Sequence, residues 1–252
     1  MMTCPAIPGE IVRDNPAVRV IFALRDPVSR MWSDYRFAAE WYRQKKWGFN
    51  DVVDGTLPNY QNCLDQFVNG SYARGLLEAE AKAGGGPRRK TRPHQQAQYF
   101  VPAPKWLGEA RGSRAEERAL DAGALSFYTS RCPTSLGDNH NLVKKSVYVF
   151  QVRHWLSVLG KERVRVVTTE EIAKDQKKVL VEVLDFMGLC PFTFGNLGRD
   201  NVTPFDVRGS FRINEESFKK LKRFFKPYNQ LLYEMIGRDL SWEKKTFDSF
   251  KK

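Results

Sequence analysis

The strongest constraint on the fold is a short apolar run that leads at once into a helix signal near the start of the chain. Residues 18–24 read Val-Arg-Val-Ile-Phe-Ala-Leu, a pattern typical of a buried strand in a parallel sheet. Asp26 can cap a helix, and Pro27 suits the first helical position, where a missing N–H costs nothing. We therefore predict a strand, a tight turn and a helix from about 28 to about 41, which is half of a β–α–β unit.

A second strand and further helices are predicted in the last part of the chain. Residues 164–168 form the second predicted strand, and we expect it to run parallel to residues 18–24. Apolar residues recur at three- and four-residue intervals, with Gly160 and Gly188 as helix ends and a kink expected at Pro227. The helices predicted in this way cover residues 142–159, 179–187 and 218–235. Strands alternating with helices predict a three-layer α/β domain, with the strand at 18–24 in the centre of a parallel sheet.

Residues 44–141 lack clear periodicity and separate these two parts. Within them, residues 84–90 read Gly-Gly-Gly-Pro-Arg-Arg-Lys. We predict that residues 44–141 form a surface insertion, part of it mobile, within a single domain that spans residues 1–252.

The composition narrows the class of protein without choosing a partner. A hydrophobic content of 42% in 252 residues excludes disorder throughout. A formal net charge of +12 indicates a polyanionic partner, and nucleic acid, an anionic polysaccharide and a nucleotide with several phosphates all qualify. No run approaches the roughly 20 apolar residues that span a bilayer, and residues 1–10 lack the regions of a signal peptide. The four cysteines are too scattered for a CxxC metal site, and no metal site is predicted.

One segment combines a cation and a hydroxyl at the place where α/β sheets bind ligands. Residues 24–35 place Arg25 at the end of the first strand and Ser33 about two turns into the helix. Ligands bind beyond the carboxyl ends of such strands, and helix N-termini attract anions, so both side chains can hold one phosphate. An alternative is equally good on these physical grounds: Arg25 pairs with Asp26 or Asp34, and Ser33 bonds back to a carbonyl of its own helix.

The run Leu-Arg-Asp-Pro-Val-Ser-Arg-Met-Trp-Ser-Asp-Tyr at 24–35 closely resembles the 3′-phosphate-binding motif of sulfotransferases. In that motif an arginine and a serine hold the 3′-phosphate of the sulfate donor 3′-phosphoadenosine 5′-phosphosulfate (PAPS), and the matching positions are Arg25 and Ser33. Residues 146–172 resemble the helix and strand that follow in glycosaminoglycan and other carbohydrate sulfotransferases, and residues 225–242 resemble their C-terminal helix. The likeness is greatest to enzymes that sulfate chondroitin-type GalNAc residues, followed by heparan sulfate 3-O-sulfotransferases.

The resemblance implies a fold of the P-loop NTPase-like sulfotransferase type and an enzyme that transfers a sulfuryl group from PAPS to a carbohydrate hydroxyl, without a metal. It also implies an anionic glycan as partner and a location in the Golgi lumen or secretory pathway. Arg208 and Gly209 match a Lys-Gly-rich loop that closes over the donor, although the loop is about two residues shorter here. Tyr148 and Trp155 resemble family positions, and their helical spacing favours a core role.

Family members also carry a Gly-Thr loop whose lysine holds the 5′-phosphosulfate, and nothing upstream of Val18 resembles it. We therefore expect an N-terminally truncated fold, which is either a fragment or a donor-binding relative without full catalytic equipment, and we assign no catalytic residue. His94 and His140 lie in predicted loops and could approach an acceptor, whereas His154 is expected to be a half-buried surface residue.

Further expectations concern the insertion. The basic run at 88–118, with Trp106, either lines an acceptor cleft or is a solvated loop. Cys63 and Cys132 bracket the insertion and could form a disulfide in an oxidising lumen, where carbohydrate sulfotransferases usually reside. Two other functions remain open, a basic nucleic-acid-binding protein that uses residues 84–90, and a P-loop kinase relative. The lack of a GxxxxGK[ST] run counts against the second.

Overall fold

The computed structural model of the chain describes residues 7–69, 142–198 and 212–250. The regular elements of these residues are listed in chain order: α1 (Ile7–Asp14), β1 (Val20–Leu24), α2 (Pro27–Phe37), α3 (Ala39–Gln44), α4 (Phe49–Asn69), α5 (Val149–Leu159), β2 (Val164–Thr168), α6 (Thr169–Lys174), α7 (Gln176–Met187), α8 (Glu215–Ile236) and α9 (Phe247–Phe250). Short 3-10 turns lie at Lys144–Ser146, Lys161–Arg163 and Trp242–Lys244.

The two strands β1 and β2 pair in parallel, which confirms the predicted pairing and the α/β class. Val20 lies opposite Val164, and Leu24 lies opposite Thr168, so both carboxyl ends are side by side. β2 has the predicted bounds, and β1 begins two residues later than predicted. The sheet contains only these two strands among the described residues, so the central position of β1 and the three-layer arrangement stay predictions.

Helix α2 begins as the sequence predicts and ends earlier. Asp26 caps it by accepting a 2.7 Å hydrogen bond from the amide of Ser29, and Pro27 is its first residue. The backbone at Ala38, with φ −97° and ψ 18°, leaves the helical conformation, so the predicted single helix is divided into α2 and α3.

Helix α4 lies inside the range that was predicted to be an irregular insertion. Its 21 residues run from Phe49 to Asn69, and Phe49, Val53 and Tyr60 are buried in the core. Gly55 and Pro58 lie within the helix, and these residue types argue against a helix on sequence grounds. The residues from 70 to 141 lie outside the described part, so the extent of the insertion and the single-domain assignment stay predictions.

Two apolar clusters hold these elements together. The first joins α2, α3, α4 and α8 and includes Met31, Tyr35, Tyr42, Phe49, Val53, Leu221 and Phe225. The second packs β1 against α5 and the C-terminal segment and includes Phe22, Leu24, Tyr148, Trp155, Leu159 and Trp242. α2 packs in the first cluster and β1 in the second, so the turn between them is anchored on both sides.

The helix predicted over 142–159 begins only at Val149. Before it, the chain makes a 3-10 turn, in which the Ser146 hydroxyl donates a 2.9 Å hydrogen bond to the Leu142 carbonyl, and Val147 is not helical. The last predicted helix is longer than expected, since α8 continues through Pro227 from Glu215 to Ile236. Gly188 ends α7 in the left-handed conformation, with φ 71°.

Candidate functional site

The turn after β1 is held by two long-range hydrogen bonds. The Arg25 carbonyl accepts a 2.9 Å hydrogen bond from the Tyr148 hydroxyl, just before α5. The Asp26 amide donates a 3.1 Å hydrogen bond to Glu170, in the first turn of α6. Glu170 in turn accepts a 2.8 Å hydrogen bond from the Lys245 ammonium near the C-terminus. The backbone at the carboxyl end of β1 is therefore fixed by segments that are distant in the sequence.

Glu170 is held in its charged form by these contacts. Partial burial raises the pKa of its carboxyl, but the hydrogen bonds from Lys245 and from the Asp26 amide, with the charge of Lys245, lower it by more in sum. The pKa of Glu170 therefore lies below its ordinary value. The carboxylate remains an acceptor for the Asp26 amide at neutral pH.

The Tyr148 hydroxyl remains protonated and therefore remains a hydrogen-bond donor. Burial, chiefly, raises the pKa of its hydroxyl above the ordinary value of 10. Its ring packs against Trp242, with the centroids 5.9 Å apart. Tyr148 and Trp155 are both buried in the second cluster, which confirms the core role predicted for them.

Arg25 is half-buried as a residue, and its side chain makes no hydrogen bond or salt bridge with any residue that the structure describes. The two carboxylates that the sequence offered as partners are engaged elsewhere. Asp26 accepts 2.7 Å hydrogen bonds from the amide and the hydroxyl of Ser29. Asp34 pairs with Arg30 at 2.9 Å. The non-functional alternative for Arg25, an ion pair with Asp26 or Asp34, is thus not found.

Ser33 is half-buried in α2, and its hydroxyl makes no hydrogen bond within the described ranges. It does not bond back to a carbonyl of its own helix, as the Thr56 hydroxyl in α4 does at 2.5 Å to the Val52 carbonyl. Ser33 lies six positions after Pro27, which corresponds to about 9 Å along the helix axis. Arg25, in the turn after β1, and Ser33, on α2, therefore each have a polar group without a partner among the described residues.

The N-terminus of α2 itself offers less to an anion than the sequence suggested. Pro27 has no N–H, the Ser29 amide donates to the Asp26 carboxylate, and the Arg30 amide donates to the Asp26 carbonyl. The carboxylate of Glu170 also lies at this helix end, against the Asp26 amide. A phosphate placed at the helix tip would meet two negative charges. We therefore expect an anion at this turn to contact the side chains of Arg25 and Ser33, and not the helix end.

No family model matches the chain. The membrane-associated sulfotransferase kil1 of Dictyostelium discoideum is 24% identical over 236 residues, which cover 89% of this chain and 48% of that protein. The chain is similar in sequence to this sulfotransferase over most of its own length. It spans about half the length of the curated relative that it matches.

A crystal structure of a sulfotransferase from Alicyclobacillus acidocaldarius aligns with 97% of this chain and 64% of that chain, at 18% sequence identity and a TM-score of 0.46. The parallel pairing of β1 and β2 places the chain in the α/β class.

Several residues of the predicted sulfotransferase site lie outside the described part of the chain. Arg208 and Gly209 are among them, so their place beside Arg25 stays a prediction. The same holds for His94, His140 and Trp106. His154 is buried, with 3% of its surface exposed, so the expectation of a half-buried surface residue is wrong.

The residues that hold the turn after β1, Tyr148, Glu170 and Lys245, were not predicted from the sequence to do so. Thr168 and Glu171 form a capping box that begins α6, so a Thr-x-x-Glu pattern after a strand does indicate that Glu170 is near the carboxyl edge. No sequence signal connects Lys245 or Lys222 to this edge. Lys222 donates to the Trp242 carbonyl, and burial, chiefly, lowers its pKa.

The described residues contain no group of three or more His, Cys, Asp or Glu side chains arranged to hold a metal ion. None of their helices has the length and apolar character needed to cross a membrane. Cys63 is disulfide-bonded, and the cysteine at the other end lies outside the described residues, so the pairing with Cys132 stays a prediction.

Proposed function

We propose that this chain binds PAPS, with Arg25 and Ser33 on the 3′-phosphate and Arg208 and Gly209 closing over the donor. The observation that carries the proposal is Arg25, a half-buried residue directly after β1, whose guanidinium has no partner among the described residues. It belongs to the segment that resembles the donor-binding motif, in a chain related to sulfotransferases.

The chemistry of Arg25 and Ser33 suits a phosphate. A half-buried guanidinium has lost part of its hydration, and an anion that forms two parallel hydrogen bonds with it offsets that cost. A serine hydroxyl donates one further bond to the same phosphate. The Arg25 backbone is already fixed by Tyr148, so binding does not have to order this turn.

The proposed reaction is transfer of a sulfuryl group from PAPS to a hydroxyl of a carbohydrate acceptor. The acceptor oxygen forms a bond to sulfur while the bond from sulfur to the bridging phosphate oxygen breaks. The bridging oxygen keeps the electron pair of the broken bond, and the leaving group is adenosine 3′,5′-bisphosphate (PAP). The proton of the acceptor hydroxyl passes to a general base. No described residue is assigned as that base. The family resemblance implies an anionic glycan as acceptor, and the net charge of +12 is compatible with one.

Family resemblance supports the Golgi lumen or the secretory pathway as the place of this reaction. A disulfide at Cys63 is compatible with such an oxidising compartment. The relative in Dictyostelium discoideum is described as membrane-associated.

Calorimetry with PAP tests the donor site without requiring turnover. Charged hydrogen bonds contribute about 1.5–3 kcal/mol, so Arg25→Ala should weaken PAP binding about 10- to 150-fold. Neutral ones contribute about 0.5–1.5 kcal/mol, so Ser33→Ala should weaken it about 2- to 10-fold. Arg223→Ala is the matched control, since this arginine of α8 also has no partner within the described ranges and should leave PAP binding unchanged.

Two outcomes would overturn the donor assignment. One is PAP binding by Arg25→Ala that is as tight as that of the parent. The other is salt-sensitive binding of nucleic acid that PAP does not affect, which would favour the nucleic-acid-binding alternative. If PAP binds as expected, transfer of labelled sulfate from PAPS to chondroitin or heparan sulfate then tests the carbohydrate acceptor separately.

A further inference from the structure

A cavity of about 440 Å³ lies between α4 and α8. Its volume is within the roughly 300–1,000 Å³ that is usual for small-molecule sites. Its apolar walls are formed by Val53, Leu57, Pro58, Phe224, Pro227 and Tyr228. The cavity is therefore large enough and apolar enough to take the body of a small ligand.

Two prolines inside helices meet at this cavity. Pro58 lies within α4 and Pro227 within α8, and both line the cavity. Because proline has no N–H, the carbonyls of Asp54 and Arg223, four residues earlier, cannot receive the usual helical hydrogen bond. Asp54 and Arg223 line the same cavity. Proline is the least favourable residue in a helix interior, and such departures from local preference concentrate at functional sites.

The charged side chains that line the cavity are one carboxylate, Asp54, and two cations, Lys220 and Arg223. Lys220 is neutralised, since its ammonium lies 3.0 Å from Asp54 and 2.8 Å from Glu216. Arg223 is exposed and has no hydrogen bond or salt bridge with any described residue. The rim therefore presents, beside an apolar cavity, one guanidinium that has no ion-pair partner among the described residues.

We propose that this cavity binds an amphipathic monoanion, a molecule with an apolar body and one carboxylate or sulfate group. The apolar body occupies the space between α4 and α8, and the anionic group pairs with Arg223. Electrostatic complementarity fixes the orientation, and burial of apolar area supplies the affinity.

This site is distinct from the proposed PAPS site. Positions 220 and 222 of α8 are about 200° apart around the helix axis. Lys220 faces the cavity, whereas Lys222 bonds to the Trp242 carbonyl, and Trp242 packs against Tyr148 near the Arg25 turn. The cavity and the turn therefore lie on different faces of α8, and one ligand need not exclude the other.

Calorimetry with decanoate tests the proposal on the whole chain. Decanoate should bind saturably, decanol should bind more weakly because it lacks the charge, and propionate should not bind because it lacks the apolar body. Saturating PAP should not displace decanoate. Absence of decanoate binding, or equal affinity for decanoate and decanol, would overturn the proposal.

Variants locate the binding. Arg223→Gln should lower decanoate affinity roughly fivefold, as expected for a charge pair at an exposed rim. Lys226→Gln changes an exposed cation of the same helix that does not line the cavity, and it should bind as the parent does. Leu57→Trp fills the cavity and should abolish binding, with thermal unfolding used to check the fold. Parent-like affinity in Arg223→Gln, or in a folded Leu57→Trp protein, would contradict the site.

Discussion

Tyr148→Phe tests whether the backbone position of Arg25 matters for anion binding. The substitution removes one hydroxyl, which donates the 2.9 Å hydrogen bond to the Arg25 carbonyl. The ring can remain in place, since it is only 6% exposed and packs against Trp242. The variant therefore isolates a single contact between α5 and the turn after β1.

The expected loss of stability follows from that contact. A neutral hydrogen bond contributes about 0.5–1.5 kcal/mol, and a carbonyl left without its donor adds a desolvation cost, so we expect a decrease of about 1–2 kcal/mol in the free energy of unfolding. In a chain of this length that corresponds to a decrease of about 2–8 °C in Tm. PAP affinity should also fall, but by less than in Arg25→Ala, because the guanidinium is still present.

Urea unfolding and PAP calorimetry measure the two effects, and Tyr35→Phe is the matched control. The Tyr35 hydroxyl also donates a 2.9 Å hydrogen bond to a backbone carbonyl, that of Trp47, away from Arg25. We expect Tyr35→Phe to lose similar stability and to bind PAP as the parent does. If Tyr148→Phe also keeps parent-like PAP affinity, the idea that this hydrogen bond positions Arg25 is wrong.

Three further predictions concern other contacts. The pKa of Glu170 is lower in the folded chain than its ordinary value of 4.5, so its carboxylate stabilises the fold at pH values above 4.5, and this stabilisation is lost as the pH falls through the folded-state pKa. Glu170→Gln should therefore lower Tm at pH 7, and the difference in Tm from the parent should shrink as the pH is lowered. A difference in Tm that is the same at all pH values would contradict this. Pro58→Ala should raise the free energy of unfolding by about 1–3 kcal/mol, because alanine supplies the N–H that the Asp54 carbonyl lacks, and urea unfolding that shows a decrease would refute it. The disulfide of Cys63 should stabilise the chain by roughly 4 kcal/mol. Peptide mapping under non-reducing conditions should show Cys63 linked to Cys132. A link from Cys63 to another cysteine would rule out that pairing.

Local signals made the strands and the start of α2 predictable. The apolar runs at 20–24 and 164–168 are short and bounded, and the Asp26-Pro27 pair marks a helix start by its own chemistry. The left-handed end of α7 at Gly188 follows from glycine in the same way. Each of these features depends on a few neighbouring residues, which a sequence displays directly.

Features that depend on distant residues could not be predicted. Tyr148 and Arg25 are 123 positions apart, and Lys245 and Glu170 are 75 apart, so only the folded chain shows their contacts. Helix α4 was missed for a different reason. It contains Pro58 in its interior, and its packing against α8 overrides that local preference.

The total charge of +12 could not choose among anionic partners, because most cations of a basic protein remain hydrated or ion-paired and indicate no ligand. Whether an individual cation is buried and whether it has an ion-pair partner say more about a binding site than the total charge does. Arg30 is also partly buried, but the carboxylate of Asp34 compensates it at 2.9 Å. Arg25 is half-buried without such a partner among the described residues, so folding removes part of its hydration and no described protein group replaces it. An anionic ligand that replaces the lost hydration therefore gains affinity at Arg25 that it would not gain at a solvated lysine, which is why the donor proposal depends on this one side chain.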